Sequence, residues 1–147
     1  IWFAGGKLNL LLGIIYHIGI RKENGINFNK IKQIDFATGC CFAMRSNDFK
    51  KIGMFDESFD MYCEDVDLSL RIAKTGGKIH FVPQSIIYHN VSHSLGGQKS
   101  IKKILLKYKS RVFLVRKHKP FLFPVILIFL FIGFLFEFFF HLIGTSR

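Results

Sequence analysis

The end of this chain constrains it most. Phe121 to Phe136 carries no charge, and the apolar pattern resumes past Glu137 through Phe138, Phe139, Phe140, Leu142 and Ile143. A helix needs about 20 predominantly apolar residues to cross the hydrocarbon core of a bilayer, and Phe121 to Gly144 supplies 24 positions. Glu137 and His141 fall toward the far end, where they can reach the interface. Pro124 falls near the start, where a helix tolerates it. A buried core helix of a soluble domain competes with this reading, but 9 of the 18 phenylalanines lie between Phe121 and Phe140, more than a small core encloses. A transmembrane helix over residues 120–144 is expected, with a re-entrant segment as the alternative.

Charge placement points the same way. Lys and Arg number 21 against 10 Asp and Glu, a formal net charge of +11. A surplus of that size admits nucleic acid, an anionic membrane surface or a polyanionic substrate. From Leu68 to Phe136 there is no Asp or Glu, and Lys99, Lys102, Lys103, Lys107, Lys109, Arg111, Arg116, Lys117 and Lys119 crowd before the apolar run. That position favours a membrane surface, whereas a nucleic-acid partner would call for basic residues interleaved with stacking aromatics in a recognisable module; no nucleic acid is expected. The basic side precedes the span and only Arg147 follows it, so the positive-inside tendency places the upstream part in the cytoplasm, at a cytoplasmic or cell inner membrane. Ile101, Ile104, Leu105, Tyr108, Val112 and Val115 recur at three- and four-residue steps, which predicts a basic amphipathic helix over residues 100–119. Such a helix either lies on headgroups or packs on its own domain.

The remainder reads as a mixed α/β domain over residues 1–99. Leu8 to Ile20 is apolar but, at 13 residues with Asn9, Gly13, His17 and Gly19, too short to span. Cys40, Cys41 and Cys63 lack any C-x-x-C spacing, which argues against a disulfide framework and a thiolate zinc site and suits a reducing cytosol. Ile34 to Met44 contains a strand-like run broken at Thr38-Gly39, and Ser46 offers an N-cap to a short helix that Gly53 closes. A second helix opens with Glu64, Asp65 and Asp67 and ends at Gly76-Gly77. Val66, Leu70 and Ala73 share its buried face, and Asp67 and Arg71, four apart, can pair. Asp65 in the first turn meets the positive end of the helix dipole, which favours an ionised carboxylate able to take a proton. On spacing alone, dipole complementation explains these acids at least as well. Lys78 to Val82 alternates as a strand, Pro83 interrupts, and Ser85 to Tyr88 resumes an extended pattern before His89. His89 and His93 alone make a weak case for a metal site.

The string Phe55-Asp56-Glu57, then Tyr62-Cys63-Glu64-Asp65-Val66-Asp67-Leu68-Ser69-Leu70-Arg71, followed by Gly76, Pro83 and His89, resembles the catalytic-half signature of glycosyltransferase family 2, in its bacterial rhamnosyltransferase-like branch. Trp2 with Gly5-Gly6, Thr38-Gly39-Cys40, Ser94, and Tyr108 with Arg111 extend the likeness over nearly all of the chain before the tail. The resemblance implies a GT-A fold, an α/β sandwich around a mostly parallel sheet, of which this chain is the acceptor-side half. It further implies an inverting transfer from a nucleotide-sugar donor to a saccharide or lipid-linked acceptor in cell-surface polysaccharide synthesis. Asp65 corresponds to the base, and His89 to a histidine that in some members binds a divalent metal, Mg2+ or Mn2+. Gly5, Gly6, Thr38 and Gly39 would admit ligand close to the backbone, and Asp56, Glu57 and Glu64 would line the substrate site. Asp60, Cys63 and Gly77 depart from the pattern at positions where aromatic residues are usual. The donor-binding half with its Asp-x-Asp is not in this sequence, so a fragment beginning at Ile1 is expected to bind donor poorly alone. A non-catalytic membrane-bound remnant from a truncated reading frame is the alternative.

Overall fold

The computed structural model describes residues 1–89 and 101–143; His93, Ser94, Lys99, Gly144 and Arg147 lie outside the described residues. It is a mixed α/β structure with two small sheets. In chain order the elements are β1 (Gly6–Asn9), β2 (Ile14–His17), β3 (Lys32–Ile34), α1 (Ser46–Ile52), α2 (Glu64–Lys74), β4 (Ile79–Phe81), α3 (Ile101–His118) and α4 (Phe123–Leu142), with short 3-10 turns at Ile26–Phe28 and Pro120–Leu122. Contacts divide the chain into two compact units. The first holds Ile1–Leu8, Ile15–Ser58 and Glu64–His89, and the second Asn9–Ile14, Phe59–Cys63 and the described part of Asn90–Arg147.

In the first unit, β3 pairs antiparallel with β4 in the register Lys32↔Phe81, Gln33↔His80 and Ile34↔Ile79. Past β3 the chain bridges to β1 through Gly6↔Phe36, and the Asp35 amide donates to the Gly6 carbonyl at 3.0 Å. Ala4, Ile34, Phe36, Val66 and Leu68 are buried in this unit. The strand expected over Ile34 to Met44 ends at Ile34, with one isolated bridge at Phe36, for a reason visible in its hydrogen bonds. The Ala37 amide goes to Ser69 Oγ (3.2 Å) and the Gly39 amide to Asp65 Oδ2 (2.8 Å), so α2 side chains take the donors that a neighbouring strand would need. Ser85 to Tyr88 forms no strand either; Pro83 removes a donor, and the Ser85 amide turns back onto the Val82 carbonyl at 3.2 Å. The described sheets are each two-stranded, and the larger, mostly parallel sheet implied by the resemblance is not formed among the described residues.

The helix ends follow local chemistry. Gly53 (φ 88°) closes α1 with its amide on the Lys50 carbonyl, and Met54 reaches back to Phe49. Gly76 (φ 80°) and Gly77 close α2 in the same way, on the carbonyls of Ala73 and Ile72. Arg45, not Ser46, occupies the N-cap of α1, and no side chain caps it. Burial on α2 covers Val66, Asp67, Leu68 and Ser69, while Ala73 is exposed, because the helix is enclosed around its first two turns rather than along one stripe.

The second unit is built on α3 and α4, joined through Lys119 and the Pro120–Leu122 turn. Val115, Ile126 and Leu130 form its core with Leu10, Val112 and Phe123 around them. Pro120–Leu122 and α4 together give one stretch, Pro120–Leu142, long and apolar enough to cross a membrane, and only 11% of its most apolar window is buried. α4 gives Ile126 and Leu130 to that core and leaves most of its apolar surface exposed.

Candidate active site

The first turn of α2 carries the acidic residues Glu64, Asp65 and Asp67. Directly before it, Tyr62 and Cys63 both hold positive φ, 68° and 66°. Left-handed backbone costs a non-glycine residue roughly 1–2 kcal/mol, and such residues gather where function needs an unusual chain path. The path here delivers two adjacent carboxylates at one helix start.

Asp65 is half-buried, and both its oxygens accept backbone N–H groups: Oδ1 from Val66 at 2.8 Å and Oδ2 from Gly39 at 2.8 Å. An ionised carboxylate has about four lone-pair sites, so two remain. Gly39 lies beside both acids; a Cβ there would stand 3.7 Å from Asp65 Oδ2 and 3.7 Å from Glu64 Oε1. Ser69 ties the arrangement together by donating to the Asp65 carbonyl at 2.7 Å while accepting the Ala37 amide.

Glu64 has a different environment. Its Oε2 is buried with no hydrogen-bond partner among the described residues. Burial pushes its carboxyl above the ordinary range, and the neighbouring Asp65 charge adds to the rise. Two adjacent carboxylates are thus held differently, one braced by two amides, the other with one oxygen buried and unpaired and harder to ionise.

His17 of β2 also senses Asp65. Burial lowers its imidazole below the ordinary 6.5, against the pull of the Asp65 charge and a hydrogen bond to the Trp2 backbone. Its ring meets Trp2 edge-on at 4.8 Å and Phe3 at 5.1 Å. Sequence reasoning overlooks His17, which serves there only to exclude a membrane span; period-two patterning of β2 places it on a face, but no local signal puts it in the field of an acid 48 residues later.

The other motif residues are placed as follows. Gly5 and Gly6 leave room for side chains of the fold itself: a Cβ at Gly5 would stand 2.6 Å from Ile34 Cγ2, and one at Gly6 2.4 Å from the Phe36 ring. Thr38 is buried and its Oγ1 accepts the Cys40 amide at 3.4 Å. Asp56 caps its own turn, Oδ1 accepting the Ser58 amide at 2.9 Å, and Glu57 is exposed. His89 is exposed with its ring 4.7 Å from Trp2. Asp67 is fully buried, and Arg71 Nε donates to its Oδ2 at 2.8 Å, the expected pair. Arg71 also donates to the carbonyls of Ile52 and Met54, which locks α1 to α2.

The divalent metal implied by the resemblance would find His89 as its one ligand from this chain. Among the described residues no group of three or more His, Cys, Asp or Glu could hold a metal ion, and His89 stands against an aromatic ring. No step below runs through a metal. A cavity of about 230 Å³ in the first unit is lined by residues including Gln33, Asp35, Leu70 and Ile79; Leu70 is the one residue of the motif string on its wall, and Asp65, Glu64 and Gly39 do not line it.

Part of the chain is similar to known proteins. Rhamnosyltransferase WbbL of Escherichia coli is 35% identical over 77 residues, which is 47% of this chain and 29% of that protein. The chain is similar to bacterial rhamnosyltransferases over about half of its length. N-acetylglucosaminyl-diphospho-decaprenol L-rhamnosyltransferase of Mycobacterium tuberculosis is 31% identical over 87 residues, 59% of this chain and 28% of that protein. These two homologues support a glycosyltransferase family 2-like relationship, and the matched stretch spans less than a third of either relative's length. No family model matches the chain, and no solved structure matches it.

Proposed function

We propose that this chain is the acceptor-side part of an inverting, membrane-associated glycosyltransferase with a partial GT-A fold, acting in cell-surface polysaccharide synthesis. In this reading Asp65 is the base. It takes the proton of an acceptor hydroxyl while that oxygen bonds to the anomeric carbon of the donor sugar; the carbon–oxygen bond to the nucleoside diphosphate breaks, and the diphosphate leaves with the electron pair. Attack opposite to the leaving group inverts the anomeric centre. The observation that carries the reading is the Asp65 carboxylate, half-exposed and aimed by the Gly39 and Val66 amides with two lone-pair sites left to receive a proton.

Bracing from two amides does for Asp65 what orientation must do for any general base, because transfer needs the carboxylate within about 3 Å of the hydroxyl. Glu64, Gly39 and Thr38 lie around it and would form the acceptor side of the site; Gly5, Gly6, Asp56 and Glu57 shape the surrounding chain. The rhamnosyltransferase names of the homologues favour a nucleoside-diphosphate deoxyhexose as donor, and a lipid diphosphate sugar as acceptor at a cytoplasmic membrane face. The test uses the full-length protein in membranes, supplied with labelled nucleotide sugars and a polyprenyl-diphosphate-linked saccharide. Label should move into the lipid fraction from one donor. Free-sugar release or no turnover with every donor tried overturns the proposal.

A further inference from the structure

We infer that α3 and α4 form one in-plane anchor, with α4 lying along an anionic bilayer surface as the lipid-facing layer and α3 behind it at the headgroups, so that α4 does not cross the membrane. The inference takes membrane association from the reading above and is independent of its chemistry.

The two helices are paired lengthwise, not merely joined at a turn. Near the turn, Val115 packs with Ile126 and Leu130. Farther along, the buried Tyr108 meets Phe134 edge-on at 5.3 Å, and its hydroxyl donates to Glu137 Oε2 at 3.3 Å. Gly133 makes that approach possible, since a Cβ there would stand 3.2 Å from the tyrosine oxygen. Lys107 forms an ion pair with Glu137. From Ile126 to Glu137 the pairing runs about 16 Å along α4 at 1.5 Å per residue.

An upright α4 would take its partners into the hydrocarbon. With Pro120 at one interface, Gly133, against which Tyr108 packs, would lie about 20 Å across a core roughly 30 Å thick. α3 would follow, bringing Lys107, Lys109 and Arg111 to membrane depth, where charged side chains are costly and rare. The loop residues Leu10 and Gly13 would follow as well, because a Cβ at Gly13 would stand 2.6 Å from Leu130 Cδ2. Non-helical backbone at that depth needs cover from lipid.

Lying flat removes each conflict. The opposite side of α3 is occupied by the 59–63 segment: Phe59 meets Phe113 edge-on at 4.8 Å, Lys109 pairs with Asp60, and Ser110 Oγ donates to the Met61 carbonyl. α3 is thus the middle layer and α4 the outer one. Val125, Ile132 and Phe139, spaced by seven on the outer face, are 55%, 58% and 57% exposed. A helix about 10 Å across sinks to the depth typical of interfacial helices, which leaves Lys102, Arg116 and Lys119, all exposed, at the headgroup level for anionic lipid.

Depth measurement separates the two arrangements. In the full-length protein with Trp2 and every tryptophan outside these 147 residues changed to Phe, single tryptophans are placed at Val125, Ile132 and Phe139. The proteins are bound to vesicles of phosphatidylethanolamine with phosphatidylglycerol, carrying bromine at shallow or deep acyl positions. In-plane insertion predicts the same shallow quenching at all three sites. An upright helix puts Ile132 about 10 Å deeper than the other two, and that graded profile overturns the inference. As a second readout, Phe121→Cys and Ile143→Cys, in a background with Cys40, Cys41 and Cys63 changed to Ser, should react with an impermeant maleimide from the same side of sealed membranes; reaction from opposite sides overturns it. Loss of all partition into the vesicles removes the membrane reading itself, with the transfer assay left to judge the chemistry.

Discussion

The amide of Gly39 donates a 2.8 Å hydrogen bond to Oδ2 of Asp65, 26 residues later in the chain. That bond joins the interrupted strand to the first turn of α2 and sets the orientation of the one carboxylate that both the motif and the geometry single out.

Replacing Asp65 by Asn keeps the shape and one acceptor oxygen but removes the proton-accepting charge. In the full-length enzyme, Asp65→Asn should lower kcat by about 100- to 10,000-fold, the usual worth of a general base, with donor affinity within about twofold of wild type. Single-turnover transfer rates and donor binding by calorimetry read the two quantities separately. Wild-type-like turnover would remove Asp65 from the role.

Glycine substitutions should divide by what their Cβ meets. At Gly39 the contacts are ordinary, 3.7 Å, and alanine keeps the N–H, so Gly39→Ala should fold normally yet crowd both carboxylates and weaken acceptor use, raising the acceptor KM about tenfold while donor affinity holds. At Gly6 the methyl would fall 2.4 Å from the Phe36 ring, which is itself buried, so Gly6→Ala should cost about 1–3 kcal/mol of stability as overpacking. Thermal unfolding of both variants checks the contrast.

Much of this site was legible from spacing, and the part that was not has a common cause. The Asp67–Arg71 pair, the glycine ends of α1 and α2, and the apolar α4 all follow from residues within one or two turns of each other. His17 in the field of Asp65, Ser69 holding the Ala37 amide, and Lys107 reaching Glu137 link residues 48, 32 and 30 positions apart. Periodicity says which face a side chain takes, never which distant partner waits there. The failed strand after Phe36 has the same origin, since its amides were claimed by side chains of a helix that begins much later.

Breaking the Asp67–Arg71 pair should be severe. Asp67 is fully buried, and Arg71→Met removes the guanidinium that balances it together with two bonds to the end of α1. Removing one partner of a buried pair costs about 3–5 kcal/mol. Asp67→Asn in the Arg71→Met background should recover part of that loss, because the buried charge that Arg71 faced is gone. Denaturant midpoints for the two single variants and the double variant measure the coupling.

Stability should depend on pH through two groups of opposite sign. The folded state holds the Glu64 carboxyl above its ordinary 4.5, so it retains a proton that the unfolded chain releases; the stability Glu64 contributes is complete below that ordinary value and is lost as pH rises through the raised one. Glu64→Gln should flatten that decline. His17 is held below 6.5, so the unfolded chain takes a proton first, and stability is lost as pH falls from 6.5 through the lowered value. His17→Asn should remove the second slope. Unfolding curves across pH 4 to 8 for both variants test the signs, and a Glu64→Gln profile parallel to wild type would count against burial as the cause.

Lys107 and Glu137 offer the sharpest test of the α3–α4 pairing. Each is the other's charge partner across the helix pair, and Glu137 also accepts from Tyr108, so it stands in apolar surroundings with its compensation supplied entirely by α3 among the described residues. Reversing one charge, Lys107→Glu or Glu137→Lys, places like charges in contact and should open the pair, making the α3–α4 turn at Lys119 and Pro120 cleavable by added protease in membranes. Combining the two changes restores opposite charges with the positions exchanged, and protection should return. A pairing that depended only on the Val115, Ile126 and Leu130 cluster would leave both single variants as protected as wild type. Rescue by the double variant distinguishes a specific ion pair from general damage to the helix, because no other contact is rebuilt by the exchange.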